Sequence, residues 1–277
     1  TNTVGVIVPE MLTPFASQVI SGIQSVLYAN GIKVIIAESD EDPNKERENL
    51  QTMERFMVDG IIICLCSYKE NLDQYIRLQA EMPMVFYDRI PYGMNVSQVI
   101  VDDYIKAFFL VEHLIREGYR HIVHLQGPDD VYNSVERARG YKDALAKFNI
   151  PFNKDRMLKA GLTFKDGANA ADMLIEKGIS FDAIFAFTDT LAIGAMNRLR
   201  DLGKKIPEEI AIASFSGTVL STIVYPQLTT VEPPLQQMGK VVAELIIEKI
   251  KEPLSPNRSI VLDAEIKLRA SSKKEKK

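Results

Sequence analysis

Short apolar runs alternate along the chain with longer amphipathic segments. Apolar runs of roughly four to eight residues are typical of buried strands, and a 3.6-residue period over longer segments is typical of helices. The predicted strands are Val4–Val8, Val34–Ala37, Ile61–Leu65, Met84–Tyr87, Val99–Val101, His121–Leu125, Asp182–Ala186, Ala211–Phe215 and Ser259–Leu262. This alternation predicts βαβ units on parallel sheets, and therefore an α/β fold.

Several helix ends carry clear signals. A helix is predicted over Phe15–Asn30 and ends at Gly31, because glycine takes the left-handed conformation with little strain. Asp42 and Pro43 open another helix with a side-chain cap and a first-turn proline. Further helices are predicted at about Ser134–Asn149, Asp189–Leu202 and Leu235–Lys251.

The two halves of the pattern resemble each other. Gly22 and Gly140 each lie inside the first helix of their half, and Asp59 and Asp182 each enter a strand after a helix. A weak repeat over roughly 100 residues predicts two similar lobes rather than a solenoid. No Gly/Ser-rich linker separates them, so the joint is predicted in the strand-like passage 98–102.

Length and composition agree with two packed bodies. The chain has 277 residues, of which 46% are apolar, and domains average about 150 residues. The charge is −4, from 33 basic and 37 acidic residues, with no basic stripe of the kind that holds a protein to DNA. No apolar run reaches the roughly 18 residues that a membrane span needs.

The first residues and the cysteines bear on the compartment. The chain begins at Thr1 without a basic or small-residue signal pattern, and the missing methionine suggests that an upstream segment was removed. Cys64 and Cys66 are too close in sequence for an unstrained disulfide and lack further metal ligands nearby. They are interpreted as reduced core thiols, which favours the cytoplasm.

The common catalytic motifs are absent. The sequence has no Walker loop, GxGxxG turn, GxSxG elbow or HExxH helix. The three histidines do not suggest a triad; they are His113, His121 and His124. The sequence therefore predicts neither an enzyme nor a cofactor or metal site.

Polar and aromatic residues instead follow the carboxyl ends of several predicted strands, where open α/β sheets bind ligands. They are Phe15, Tyr87-Asp88-Arg89, Arg137, Thr188-Asp189 and Ser216. Carboxylates, an arginine and aromatic rings could hold a small hydroxyl-rich molecule by hydrogen bonds and stacking.

Each candidate has a structural alternative. Asp189 and Asp102 stand where helix caps are expected. Arg137 and Arg139 could belong to an exposed helix face, and Phe15 could anchor a loop. Asp88 follows an apolar run directly and is harder to interpret as a surface residue.

A series of motifs runs through the chain in a fixed order. It comprises Gly5-Val6-Ile7-Val8-Pro9, Thr13-Pro14-Phe15, Val58-Asp59-Gly60-Ile61-Ile62, Phe86-Tyr87-Asp88-Arg89, His113-Leu114-Ile115, Gly118-Tyr119-Arg120-His121-Ile122, Arg137-Ala138-Arg139-Gly140-Tyr141, Asp189 with Ala192-Ile193-Gly194, Gly203 to Ile206-Pro207-Glu208-Glu209, Pro226-Gln227-Leu228-Thr229-Thr230-Val231 and Met238-Gly239. From Val4 to Arg269 the chain resembles the effector-binding core of the LacI/GalR family of bacterial transcription regulators.

The resemblance implies two Rossmann-like lobes of the periplasmic-binding-protein-like type I, joined by three crossovers, with an effector in the cleft between them. The first lobe would comprise 1–101 plus 233–259, and the second 102–232 plus 260–270, before a disordered tail at 271–277. Effector contacts would come from Phe15, Asp88, Arg137, Phe185, Thr188, Asp189 and Ser216.

The chain departs from the family pattern at two points. It has Thr188-Asp189 where the family often has Asn-Asp, and Phe215-Ser216-Gly217 where an aspartate often follows the aromatic residue. A hydroxyl cannot accept two sugar hydroxyls as a carboxylate does, so an ordinary hexose becomes a less certain effector.

The implied function is a ligand-sensing and dimerisation domain. A sugar or sugar derivative would close the cleft and so change how a homodimer holds operator DNA, through a helix-turn-helix head absent from this chain. The alternative is a periplasmic solute-binding protein of a sugar importer. That class needs a secretion signal and usually avoids free thiols. This chain begins without a signal pattern, and its two cysteines are interpreted as free thiols.

Overall fold

The computed structural model describes residues 1–274. Its strands are β1 (Thr3–Val8), β2 (Lys33–Glu38), β3 (Gly60–Ile63), β4 (Met84–Tyr87), β5 (Ser97–Val101), β6 (Ile122–Gln126), β7 (Met157–Lys159), β8 (Ala183–Ala186), β9 (Ala211–Phe215), β10 (Thr229–Glu232), β11 (Ser259–Leu262) and β12 (Glu265–Lys267). Its α-helices are α1 (Pro14–Ala29), α2 (Pro43–Arg55), α3 (Leu72–Glu81), α4 (Asp103–Arg116), α5 (Tyr132–Lys147), α6 (Phe164–Glu176), α7 (Asp189–Asp201), α8 (Leu220–Ile223) and α9 (Leu235–Lys251). The α/β prediction is confirmed.

The chain divides into two compact units. Unit 1 comprises 1–101, 130–132 and 234–263, and unit 2 comprises 102–129, 133–233 and the rest from Ala264. The predicted lobes differ from this division at residues 130–132, at Pro233 and at 260–263. The last difference arises because β11 pairs in parallel with β5 along its whole length, which ties residues 259–262 to the first sheet.

Each unit contains one six-stranded sheet. In unit 1 the strand order is β11-β5-β4-β3-β1-β2, and every pairing is parallel. In unit 2 the order is β12-β10-β9-β8-β6-β7, and only the edge pairing of β12 with β10 is antiparallel. Central strands such as β3 and β8 are buried throughout, as expected for parallel strands covered on both faces.

Glycines allow two close helix crossings. A Cβ on Gly22 of α1 would lie 2.2 Å from the carbonyl oxygen of Gln236 on α9, and a Cβ on Gly239 would lie 2.1 Å from that of Val19. In unit 2, a Cβ on Gly140 of α5 would lie 2.5 Å from the carbonyl oxygen of Tyr104 on α4. Both repeat-related glycines therefore let their helix touch the backbone of another helix.

The repeated aspartates also share one role. Asp59 accepts a hydrogen bond from the backbone N–H of Thr3 at 3.0 Å, beside the start of β1. Asp182 accepts from the backbone N–H groups of Arg120 and His121 at 2.9 and 2.8 Å, just before β6. Each carboxylate satisfies donors at the beginning of the neighbouring strand, so the sequence repeat reflects a repeated structural contact.

The prediction of a disordered tail at 271–277 is wrong for Ser271 and Ser272. Ser271 and Ser272 are fully buried in a short 3-10 turn. The Ser271 hydroxyl donates to the Ile212 carbonyl at 2.6 Å and accepts from the Thr229 N–H at 2.8 Å. Small hydroxyl side chains can complete a buried hydrogen-bond network, which composition alone does not reveal. Residues 275–277 lie outside the described part of the chain.

Across residues 1–274, no helix is both long enough and apolar enough to span a membrane.

The crossing of α1 and α9 predicts sensitivity to one methyl group. Gly22→Ala should lower the free energy of unfolding by about 2–3 kcal/mol, because the added Cβ overlaps backbone that cannot rotate away. Urea denaturation measures this. Ser21→Ala, on the exposed face of the same helix, should change stability by less than about 0.5 kcal/mol. Equal midpoints for the two variants would disprove the close crossing.

His124 predicts an acid-sensitive core. Its ring is fully buried and stacks on Phe185 at 4.6 Å, and Nδ1 donates to the Phe185 carbonyl at 2.9 Å. Burial lowers the pKa of His124 from 6.5 to about 4. The unfolded chain therefore binds a proton that the folded chain excludes, and stability should fall by about 3 kcal/mol as the pH drops from 6.5 to 4.

Urea titrations at several pH values test this expectation. His124→Gln keeps a donor but removes the titrating ring, so its stability should depend less on pH over that interval. His121→Gln, at an exposed position, is the matched control and should follow the wild type. Parallel profiles for wild type and His124→Gln would contradict the assignment.

Candidate functional site

Asp88 lies at the carboxyl edge of the unit 1 sheet. It follows β4 directly and has a φ of 57°, a left-handed conformation that is uncommon outside glycine. The residue is 7% exposed, and its Oδ2 is 3.9 Å from the Cys64 Sγ. The turn places a nearly buried carboxylate at the end of the strand, where the sequence predicted a ligand-facing group.

Arg89, the next residue, has a different role. Its guanidinium forms a two-point ion pair with Glu41, with Nη1 and Nη2 at 2.7 and 2.9 Å from the carboxylate oxygens. Burial lowers the pKa of Arg89, but Glu41 outweighs that effect and raises it above its usual value. Arg89 therefore fastens the loop after β2 to the end of β4, and its charge is already paired.

Phe15 sits in the first turn of α1, one residue after Pro14, with a half-buried ring. The preceding loop is held by Glu10, which accepts from the Thr13 N–H at 2.9 Å. The structure thus keeps Phe15 at the carboxyl end of β1, partly open to solvent.

The two cysteines lie in the same region, but their thiols are unreactive. Cys64 and Cys66 are buried free thiols. Burial, the largest cause for each, raises the pKa of both thiols, so they remain protonated at neutral pH.

Arg137 dominates the corresponding edge of unit 2. It is only 2% exposed, which excludes the alternative interpretation of this residue as part of an exposed helix face. Its guanidinium carbon lies 3.7 Å from the ring centre of Phe215 and 4.6 Å from that of Phe187. Nε donates to Asp103 at 2.8 Å and Nη1 to the Phe187 carbonyl at 2.7 Å. Neither of these two bonds uses Nη2.

Asp103, the partner of Arg137, was not among the predicted site residues. Its neighbour Asp102 is the helix cap, because the Asp102 side chain accepts a hydrogen bond from the Ile105 N–H at 2.9 Å. The two aspartates at the start of α4 have different partners because adjacent residues point in different directions. Arg139 lies on an exposed face, where its guanidinium pairs with Glu136 at 2.5 Å.

The Asp189 carboxylate accepts hydrogen bonds from other residues of unit 2. It accepts from the hydroxyls of Ser214 and Thr230 at 2.6 and 2.8 Å, and from the Thr218 N–H at 2.9 Å. Burial raises its pKa, and these hydrogen bonds oppose the rise. Asp189 therefore joins β9, β10 and the loop after β9. The helix cap is Thr188, which accepts from the Leu191 N–H at 3.4 Å.

Phe185, which the family resemblance implied as an effector contact, lies one residue before the end of β8 and is not exposed. It lies fully buried inside β8 beside its register partner His124, and the two rings stack. Phe187, two residues later and past the end of β8, is the ring that contacts Arg137. Alternation along the strand cannot distinguish these two phenylalanines, because residues two apart share one face of the sheet.

Ser216 directly follows β9 and is partly exposed, with a φ of 79°. This left-handed turn resembles the one at Asp88, which also comes directly after a strand. Thr188 is partly exposed at the end of β8. Unit 2 thus gathers a guanidinium, aromatic rings and two hydroxyls at one edge of its sheet.

The chemistry available at these edges is polar recognition. Residues 1–274 contain no cluster of His, Cys, Asp and Glu arranged for a metal ion. A carboxylate in unit 1 can accept hydrogen bonds, and a guanidinium between aromatic rings in unit 2 can donate them. Such groups suit a small, hydroxyl-bearing molecule.

Comparisons with known proteins agree with this picture. The profile of the family described as "Periplasmic binding proteins and sugar binding domain of LacI family" matches residues 1–270. A relative from Vibrio atlanticus, "HTH-type transcriptional repressor PurR", is 30% identical over 273 residues, which cover 99% of this chain and 82% of that protein.

Three solved structures show the same fold. The regulator CcpA of Lactococcus lactis has a TM-score of 0.92 at 28% identity, with 99% of this chain and 100% of that chain covered. A CelR–cellobiose complex has a TM-score of 0.90 at 25% identity, and the match covers 98% of this chain and 84% of that chain. A LacI-family regulator from Enterococcus faecium, with bound ribose, has a TM-score of 0.88 at 25% identity, and the match covers 99% of this chain and 100% of that chain.

The buried network predicts a structural role for Asp189. Asp189→Asn should lower the free energy of unfolding without any ligand by about 2–3 kcal/mol, because the amide nitrogen meets donors where the carboxylate accepted. Thermal and urea unfolding measure this. Thr188→Ala, which removes one cap, should cost about 1 kcal/mol. An Asp189→Asn protein as stable as the wild type would refute this role.

Proposed function

Because the chain belongs to the family of periplasmic binding proteins and LacI-family sugar-binding domains, we propose that it binds a sugar or sugar derivative whose occupancy controls operator binding. The chain is the effector-binding domain of a LacI-family regulator, and its relatives are transcriptional repressors rather than enzymes. The proposal concerns the effector class, the contacts and the switching mechanism.

The buried guanidinium of Arg137, packed between two aromatic rings, is the observation that supports the proposal most directly. Burying a guanidinium is unfavourable unless its donors and its faces find partners. Here two aromatic rings cover it and Asp103 neutralises it, while the two bonds to Asp103 and Phe187 leave Nη2 for another acceptor. A rigid, preorganised donor at the carboxyl edge of a sheet suits recognition of a hydroxyl-bearing ligand.

The proposed contacts come from both units. In unit 1, Phe15 offers a ring face and Asp88 an acceptor. In unit 2, Arg137 donates and Thr188 and Ser216 present hydroxyls at the same edge. The bound ribose and cellobiose of two related regulators support a carbohydrate as the effector class. Phe187 takes the place that the sequence assigned to Phe185, and Asp189 acts by positioning the loop.

The proposed switch couples binding to DNA. The effector closes the cleft between the two lobes, and in a homodimer this changes the spacing of two DNA-binding heads that must match operator half-sites. A coupling free energy of about 1–3 kcal/mol would change operator affinity by one to two orders of magnitude. A protein that works on operator DNA would act in the cytoplasm.

The proposal predicts a specific dependence on the guanidinium. Ribose, glucose and cellobiose should be screened by the shift in melting temperature that they cause, and the sugar with the largest shift should be titrated calorimetrically. Arg137→Lys keeps the charge but loses the planar fork, so affinity should fall at least about tenfold. Arg139→Lys, on the exposed face of the same helix, should bind like the wild type.

Two outcomes would contradict this function. One is that none of the sugars shifts the melting temperature of the wild type. The other is that Arg137→Lys folds and binds the sugar with unchanged affinity, which would remove the guanidinium from the site.

A further inference from the structure

Three tyrosines form a cluster at the carboxyl end of the unit 1 sheet, and the site described above does not use them. The ring centres of Tyr68 and Tyr92 are 5.8 Å apart, and those of Tyr92 and Tyr132 are also 5.8 Å apart. Tyr68 follows β3 and Tyr92 follows β4. We call this group the tyrosine cluster.

Two of its members are held firmly. Tyr68 and Tyr132 are half-buried and pack against the apolar core of unit 1. The Tyr68 N–H donates to the Asp130 carbonyl at 2.8 Å, and the Lys69 ammonium lies 5.7 Å from the Tyr68 ring centre. These contacts account for both rings as parts of the unit 1 framework.

Tyr92 is different because it is 61% exposed. It stands between Pro91, which is buried, and Gly93, whose φ of +77° turns the chain back. The Met94 N–H donates to the Pro91 carbonyl across this turn at 3.5 Å. The turn thus presents a large ring to solvent, while the other two tyrosines pack beside it.

Tyr92 lies close enough to Asp88 in the chain for one ligand to contact both residues. The two residues are four apart in one loop, so they are separated by at most about 14 Å. Asp88 is 7% exposed and Tyr92 is 61% exposed, and the intervening Arg89 is engaged by Glu41. A ligand that contacts both must extend from a nearly buried carboxylate to an exposed ring.

We propose that Tyr92, supported by Tyr68 and Tyr132, is an outer subsite that stacks on the second ring of a disaccharide effector. This inference rests on the proposed function and adds the size of the effector. The apolar C–H face of a sugar ring packs on an aromatic face, and the phenol hydroxyl can exchange hydrogen bonds with neighbouring sugar hydroxyls. A monosaccharide held at Asp88 would leave this subsite unused.

Calorimetric titration of wild type, Tyr92→Ala and Tyr92→Phe with glucose, cellobiose and maltose tests the subsite. The better disaccharide should bind the wild type about tenfold more tightly than glucose. Tyr92→Ala should remove most of that advantage and leave glucose affinity unchanged, whereas Tyr92→Phe should keep it because the ring remains.

A direct reporter is available because the chain contains no tryptophan. Tyr92→Trp places the chain's single tryptophan in the subsite, and the emission of this tryptophan should shift when the disaccharide saturates the protein but not when glucose does. Tyr28→Trp, 57% exposed on α1, is the matched control and should not respond to either sugar.

The outcomes separate the two proposals. If glucose and the disaccharides bind equally well, or if Tyr92→Ala keeps the disaccharide advantage, the subsite is wrong while the sugar-binding function stands. If neither glucose nor either disaccharide binds the wild type, and ribose also fails, the proposed function is wrong and the subsite is wrong with it.

Discussion

Backbone contact between helices is the constraint on which both units depend. In unit 1, α1 touches α9 through Gly22 and Gly239, although more than 200 residues separate the two glycines in sequence. In unit 2, α5 touches α4 through Gly140. Each of these glycines lies where any side chain would overlap a neighbouring carbonyl. Unit 1 therefore needs segments from distant parts of the chain, and a single cut near residue 100 would leave α1 without the helix on which it packs.

This constraint explains why the repeat could be predicted from the sequence. Gly22 and Gly140 are required by close packing, and Asp59 and Asp182 by unpaired donors at the start of a neighbouring strand. Each requirement favours one residue type at one position, so it is visible in the sequence although the contacted backbone lies far along the chain. Apolar periodicity records burial directly and predicted most of the strands, but it did not predict β7, β10 or β12.

Other features depended on contacts between distant residues and could not be predicted. Asp189 resembles a helix cap or a ligand residue in sequence, and only the positions of Ser214, Thr218 and Thr230 show that its lone pairs are taken. Phe187 lies just past the predicted end of this strand, and only the position of Arg137 on another segment shows that its ring has a role at the edge. The burial of Ser271 depends on its hydrogen bonds to other segments.

The distribution of donors and acceptors then bears on the kind of effector. The Asp189 carboxylate already accepts hydrogen bonds from Ser214, Thr218 and Thr230, so Arg137 is the charged group that the carboxyl edge of unit 2 can offer to a ligand. Unit 1 offers Asp88, while Glu41 already pairs with Arg89. A hydroxyl both donates and accepts hydrogen bonds, so the neutral polyol proposed as effector could pair with a carboxylate or with a guanidinium through the same functional group.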